Sequence, residues 1–234
     1  MSTAIIKQFS NSEGPSRMNV EEARYNMVES QIRTWEVLDQ GVLDLLFAVK
    51  REEFVPPAYR DLAFADLEIP LGFGEVMLAP KLEARIIQEL AVQPNDRVLE
   101  VGSGSGYMTA LLARFAAQVY SVEIVPELHA MAKRNLALHT GGIVTLELGD
   151  ASHGWALHAP YDVIVLTGST PLLPHVLLES LSPGGRLFAV VGDAPVMEGV
   201  LWSCVAPGAF QSVNLFETSV APLRNAERPN RFKF

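Results

Sequence analysis

Apolar positions along the chain follow two alternating rhythms. From residue 97 onward, short apolar runs of strand length alternate with stretches in which apolar residues recur every three or four positions. The runs at 98–101, 119–123, 143–148, 162–167 and 186–191 predict strands, and the stretches at 107–115, 126–138 and 174–181 predict the helices between them. Near-continuous apolar strands joined through helices indicate a parallel sheet covered on both faces, a doubly wound α/β arrangement. Two more runs, 200–205 and 213–218, flank Pro207-Gly208 and predict a closing hairpin, which brings a mostly parallel sheet to seven strands.

Ahead of the first of these strands the rhythm is helical and interrupted. Asn19 followed by Glu22 has the form of a capping box for a helix reaching about residue 34, and Asp39 caps a second over 40–49. The Lys50-Arg51-Glu52-Glu53 run reads as a solvated helix end. Phe54 to Tyr59 holds two prolines and reads as a connecting loop. A third helix opens at Pro80 and carries Leu82, Ile86, Ile87 and Leu90 on one side. These signals divide the chain into a poorly ordered leader (1–18), an N-terminal helical and loop region (19–93), a sheet domain (94–222) and a basic, polar tail (223–234) expected as a surface extension.

Composition narrows the function. A length of 234 residues with 49% hydrophobic content suits one α/β domain with an appendage. A formal charge of −9 without any long Lys/Arg run argues against a nucleic-acid surface. No apolar stretch is long enough to span a bilayer, and residues 1–9 lack the form of a secretory signal. The single cysteine, Cys204, excludes an intrachain disulfide and a cysteine-built metal site; it fits a reducing cytoplasm and a buried thiol. None of the five histidines stands at metal-ligand spacing from another, so no metal is expected.

The chemistry concentrates at 100–107, Glu-Val-Gly-Ser-Gly-Ser-Gly-Tyr, directly behind the first sheet strand. Glycines at a strand-to-helix turn let backbone approach a ligand, and the following helix offers unpaired N–H donors. Dinucleotide loops read Gly-x-Gly-x-x-Gly, whereas here the glycines alternate behind an acid that would repel a pyrophosphate and suits a cationic amino-acid ligand. Ligands of open parallel sheets bind beyond the carboxyl ends of the strands. Glu123 ends the second strand, placed for ribose hydroxyls, and Asp150 follows the third, placed for an adenine amine. This set resembles motif I and its partners in class I S-adenosylmethionine (SAM) methyltransferases. NAD is the rival nucleotide, disfavoured by the loop spacing and by the lack of a hydride-transfer constellation.

A longer resemblance is carried by Val49-Lys-Arg-Glu-Glu-Phe-Val-Pro, Ile69-Pro-Leu-Gly-Phe-Gly, Val98 to Tyr107, Val119-Tyr-Ser-Val-Glu, Gly149-Asp150, Gly154-Trp155 and Leu181-Ser-Pro-Gly-Gly-Arg-Leu. Over these segments the chain resembles the protein-L-isoaspartate (D-aspartate) O-methyltransferases. The resemblance implies a Rossmann-like fold and a SAM-dependent enzyme that methylates the α-carboxylate of isoaspartyl residues in aged proteins, an ester that collapses to a succinimide. It implies a cofactor site formed by Glu100, Gly102, Ser103, Gly104, Gly106 and Tyr107, with Glu123 and Ile124, Asp150 and Ala151, and Thr167 from the next strand ends. It places acceptor binding at Val76, Met77, Leu78, Ala79 and Pro80.

The acceptor segment departs from the family pattern Gly-x-Gly-Gln-Thr-Ile-Ser. Glutamine has become Glu75, threonine Val76, and the serine that contacts the reacting carboxylate has become Leu78. Leucine donates no hydrogen bond, and a glutamate facing the site would repel an anionic acceptor. Gly-Asp-Gly has become Gly149-Asp150-Ala151, a milder change. Two alternatives follow: a methyltransferase of the same fold with a less charged acceptor, and a non-catalytic SAM-binding or partner-binding protein.

Overall fold

The computed structural model describes residues 19–139 and 142–229. The leader expected over 1–18 and the last residues of the tail lie outside them. Helix α1 (Val20–Met27) starts where Asn19 accepts from the Glu22 N–H at 3.3 Å. The helical path then widens into a π turn (Val28–Ile32) and tightens into a 3₁₀ turn (Arg33–Trp35), ending at Glu36 with φ 62°. Asp39 caps α2 (Gln40–Ala48) through Val42 N–H at 3.0 Å. A small antiparallel hairpin, β1 (Ile69–Gly72) and β2 (Glu75–Met77), precedes α3 (Pro80–Leu90).

Alternation follows in the predicted order: β3 (Arg97–Val101), α4 (Tyr107–Leu112), β4 (Gln118–Glu123), α5 (Pro126–Leu136), β5 (Val144–Leu148), β6 (Tyr161–Thr170), α6 (His175–Glu179) and β7 (Leu181–Asp193). The closing hairpin is β8 (Val196–Ala206) and β9 (Ala209–Thr218). The seven-stranded sheet runs β5-β4-β3-β6-β7-β8-β9, parallel through β7 and antiparallel at β7–β8 and β8–β9. Strands β6 to β9 all exceed their expected lengths. β7 starts before the Pro183-Gly184-Gly185 stop, which lies within an irregularity of its pairing with β6.

The strand period of two sends side chains to two cores. Val98, Val119, Val163, Val165, Phe188 and Val190 face one that also takes in α1 to α5 and Phe54, whereas Leu99, Val101, Ile164, Leu166, Leu187 and Ala189 face one closed by Leu177 and Leu178 of α6. The N-terminal region thus shares its core with one face of the sheet, and the division near residue 93 is a change of secondary structure rather than of core. Helices cover both faces, as the sequence pattern requires.

Several polar groups lie inside this packing, Arg51 and Glu100 among them. The expectation of a solvated run at 50–53 fails at Arg51, which is 1% exposed. Its guanidinium donates to Ala63 O at 2.9 Å and Leu78 O at 2.7 Å, pairs with buried Glu83, and lies 5.1 Å over the Tyr107 ring. With its donors so matched, this arginine replaces water by protein acceptors, which periodicity along the chain cannot reveal. Glu100, on β3, is 0% exposed; Thr109 Oγ and Ser121 Oγ each donate to its Oε2 at 2.5 Å, while its Oε1 has no partner. Burial pushes this carboxyl up to about 8, against the two hydroxyls that favour its ionised form.

These interiors make two predictions. Arg51→Ala leaves Glu83 and two carbonyls buried without a partner; urea denaturation should show a loss of about 3–5 kcal/mol, with the charge-free pair Arg51→Met/Glu83→Leu losing clearly less. For Glu100 the folded value lies above the ordinary 4.5. The native state therefore holds a proton that the unfolded chain releases, and this group's contribution declines as pH rises from about 4.5 to 8. Glu100→Gln, neutral at every pH, should melt close to the parent at pH 5 and about 2–6 °C above it at pH 8.5.

Candidate functional site

The strand ends set the geometry of a cleft. Where β3 ends, Gly102 takes φ +97°, and a Cβ there would stand 2.4 Å from Thr167 Oγ1. That hydroxyl, at the corresponding end of β6, donates to Val101 O at 2.9 Å and Gly102 O at 2.7 Å, so the loop is fixed from the adjacent strand. Ser103 Oγ sits 2.6 Å from Ser121 Oγ. Glu123, at the end of β4, accepts from Gly104 N–H through Oε2 and from Val125 N–H through Oε1, both at 2.9 Å. The side chain expected to hold ribose also holds the two backbone turns around it. The remaining lone pair on each oxygen is available to a diol.

Beneath this loop a cleft of about 740 Å³, open to solvent, is lined by Gly102, Ser103, Gly104, Tyr107, Glu123, Ile124 and Thr167 on one side. Val76, Met77 and Leu78 line the other, with Leu71, Glu75 and Glu83 beside them. A smaller recess of about 250 Å³ contains Asp150, Ala151 and Ser152 and shares Gly102, Ile124, Leu223 and Arg224 with the first. Asp150 accepts from Ser152 N–H at 2.9 Å and Asn225 Nδ2 at 2.8 Å. Burial opposes its charge, but these hydrogen bonds and His153 nearby hold the carboxyl below its usual range.

Twelve of the sixteen residues expected at the site therefore line one recess or the other. Glu100 stands behind the glycine loop, where its hydrogen bonds support Thr109 and Ser121 from inside the sheet. Gly106 packs against α5, with Leu136 and Ala132 about 3.1–3.3 Å from where a Cβ would be. Ala79 and Pro80 do not line the cleft: Pro80 opens α3 and is buried there, and Ala79 is its cap. Trp155 lines neither recess; its ring fills the space of a Gly149 side chain and its Nε1 donates to Glu147. Among the lining residues of both recesses there is no histidine.

Sequence reasoning missed a whole wall. Residues 220–224, the end of the sheet domain and the start of the tail read as a surface extension, cross the cleft as a strap. Ser169 Oγ donates to Val220 O at 2.8 Å, Ser169 N–H to Ala221 O at 3.0 Å, and Leu223 N–H returns to Ser169 O at 2.8 Å. Gly168 makes room for Leu223, whose Cδ2 would stand 2.8 Å from a Cβ. Beyond it Arg224 Nε donates to Glu75 Oε1 at 2.7 Å and Nη2 to Phe73 O at 2.5 Å, so the charge conflict expected from Glu75 is met by a cation from the other end of the chain. The only local signal was the basic character of the tail; its position depends on pairing with β6.

The residues present fit an adenosyl sulfonium. Two adjoining recesses share lining residues, with carboxylates at the ends of β4 and β5 and a glycine-rich loop beside them at the end of β3. Comparison with known proteins agrees. The family model for protein-L-isoaspartate(D-aspartate) O-methyltransferase matches residues 22–201. A protein-L-isoaspartate O-methyltransferase of Aeropyrum pernix is 43% identical over 176 residues, covering 73% of this chain and 67% of that one. One of Gloeobacter violaceus is 36% identical over 203 residues, covering 87% and 98%. A crystal structure from Plasmodium falciparum, assigned to the same enzymes and in complex with S-adenosyl-L-homocysteine, shares the fold with TM-score 0.74 at 17% identity, covering 89% of this chain and 99% of that one. The chain belongs to the protein-L-isoaspartate(D-aspartate) O-methyltransferase family of SAM-dependent enzymes.

Proposed function

We propose that this protein transfers the methyl group of SAM to the carboxylate of isoaspartyl residues in protein or peptide substrates, in a reducing, cytoplasmic setting that suits its one buried thiol, Cys204. The observation that carries the reading is the continuity between the glycine loop with Glu123 and the wall formed by Val76, Met77 and Leu78, so that cofactor and acceptor share one cleft. Glu123 and the glycine loop hold the nucleoside, and Asp150 accepts from its adenine. When bound, SAM supplies an electrophilic methyl on sulfur.

An acceptor carboxylate is already ionised at neutral pH, so no side chain has to remove a proton. The chain's task is to position and to exclude water. Met77 and Leu78, 3% and 6% exposed, supply the dry wall. The same apolar wall favours a second reading, a less charged acceptor, against which Arg224 at the rim weighs.

Labelled methyl transfer to an isoaspartyl peptide, with the normal aspartyl peptide as control, tests the reading. Base-labile label on the isoaspartyl peptide alone is expected, and Leu78→Ser with Val76→Thr should raise kcat/KM about tenfold by restoring hydroxyl donors. Binding of S-adenosylhomocysteine without any transfer to that peptide would sink the substrate assignment. Calorimetry tests the cofactor half separately: Glu123→Ala should weaken S-adenosylhomocysteine about tenfold or more, because it removes the diol acceptor and frees both backbone turns.

A further inference from the structure

The cleft is a hard place for an anion. Its ionisable lining carboxylates are Glu75, Glu83 and Glu123, with Asp150 in the adjoining recess, and Arg224 is the one cation among the described lining residues. A carboxylate acceptor entering there needs a positive partner. Leu78, 6% exposed and apolar, cannot be it.

Arg224 is placed to serve. Its backbone is held between two anchors, Leu223 N–H on Ser169 O before it and the Asn225 amide on Asp150 after it. Its guanidinium spends Nε on Glu75 and one Nη2 hydrogen on Phe73 O, while among the described residues no bond is formed through Nη1. The side chain keeps 42% of its surface open. A guanidinium has five donors in a planar fork and can bridge two carboxylates, one on each edge. With Glu75 on the Nε edge, the Nη edge remains for an incoming anion.

We propose that Arg224 binds the carboxylate of the methyl acceptor, with Glu75 orienting the guanidinium, so that this chain recognises its substrate's charge from the C-terminal strap rather than through a hydroxyl at position 78. The proposal rests on the isoaspartyl reading above. It also explains how Glu75 is tolerated beside an anionic acceptor, since its charge is consumed in aiming the cation.

The test uses the full chain and steady-state methyl transfer to an isoaspartyl peptide, with S-adenosylhomocysteine affinity measured in parallel by calorimetry. Arg224→Ala should raise the peptide KM roughly 10- to 100-fold while cofactor affinity stays within about threefold. Arg224→Lys should recover part of the loss. Glu75→Gln, which keeps an oxygen to orient the fork but loses the charge, should change the peptide KM clearly less than Arg224→Ala does.

A merely structural clamp between strap and hairpin predicts otherwise, because breaking it from either side should raise KM alike; that result overturns the proposal. So does an unchanged KM in Arg224→Ala, or a loss of cofactor affinity as large as the change in KM. A parent protein that binds S-adenosylhomocysteine yet ignores the isoaspartyl peptide overturns the substrate reading and this proposal with it. An active parent with an unaffected Arg224 variant overturns this proposal alone.

Discussion

The buried guanidinium of Arg51 joins the two halves of the cleft. One of its nitrogens holds the Leu78 carbonyl in the acceptor wall, another pairs with Glu83 at the start of α3, and its face lies over Tyr107, the first residue of the helix behind the glycine loop. A cation at that depth is costly unless each donor finds an acceptor, and here carbonyls and a carboxylate supply them. The segment that carries Val76 to Leu78 and the glycine loop are thereby referred to one fixed point, although they come from separate stretches of chain. Reacting groups that approach within van der Waals contact need such a common reference, since small displacements are expensive in rate.

Around that joint the site is built from backbone held by side chains. Thr167 fixes carbonyls at the start of the glycine loop, Glu123 fixes the Gly104 N–H, and Ser169 fixes the strap. Each anchoring residue projects from the end of a neighbouring parallel strand, where the ladder stops and backbone groups fall free. The sheet's topology thus creates the orphaned groups and also delivers the hydroxyls and carboxylate that satisfy them. Glu100 completes the arrangement from below: held at two hydroxyls and pushed toward its neutral form, it stiffens the seat of the loop without presenting charge to the cleft.

What could be read in the sequence follows from how far each interaction reaches along the chain. The strands, the caps at Asn19 and Asp39, the glycine turn and the carboxylates at strand ends are local signals, and all were visible in spacing and residue type. Arg51 and the strap were not. Arg51 sits in a run of charges that resembles solvated surface, and its burial depends on Leu78 and Glu83, 27 and 32 positions away. Arg224 reaches Glu75 across 149 positions, and no periodicity records a partner at that distance. Glu100, expected at the cofactor site, lies behind the loop instead, because the alternation of β3 turns it inward beside Ser121.

The division between backbone anchoring and side-chain chemistry also accounts for the uneven departures from the family pattern. At position 78 the fold requires a carbonyl directed at Arg51, which any residue supplies, so the side chain is left to the acceptor. Gly102 and Glu123 have no such freedom: a Cβ at the first collides with Thr167, and loss of the second releases Gly104 and Val125. The cofactor half is therefore constrained by the same bonds that shape the cleft, whereas the wall at Val76, Met77 and Leu78 tolerates exchange of polar for apolar groups with the scaffold intact. Charge recognition can then migrate to another element that borders the cleft, and the strap carrying Arg224 is the element whose backbone is already fixed there.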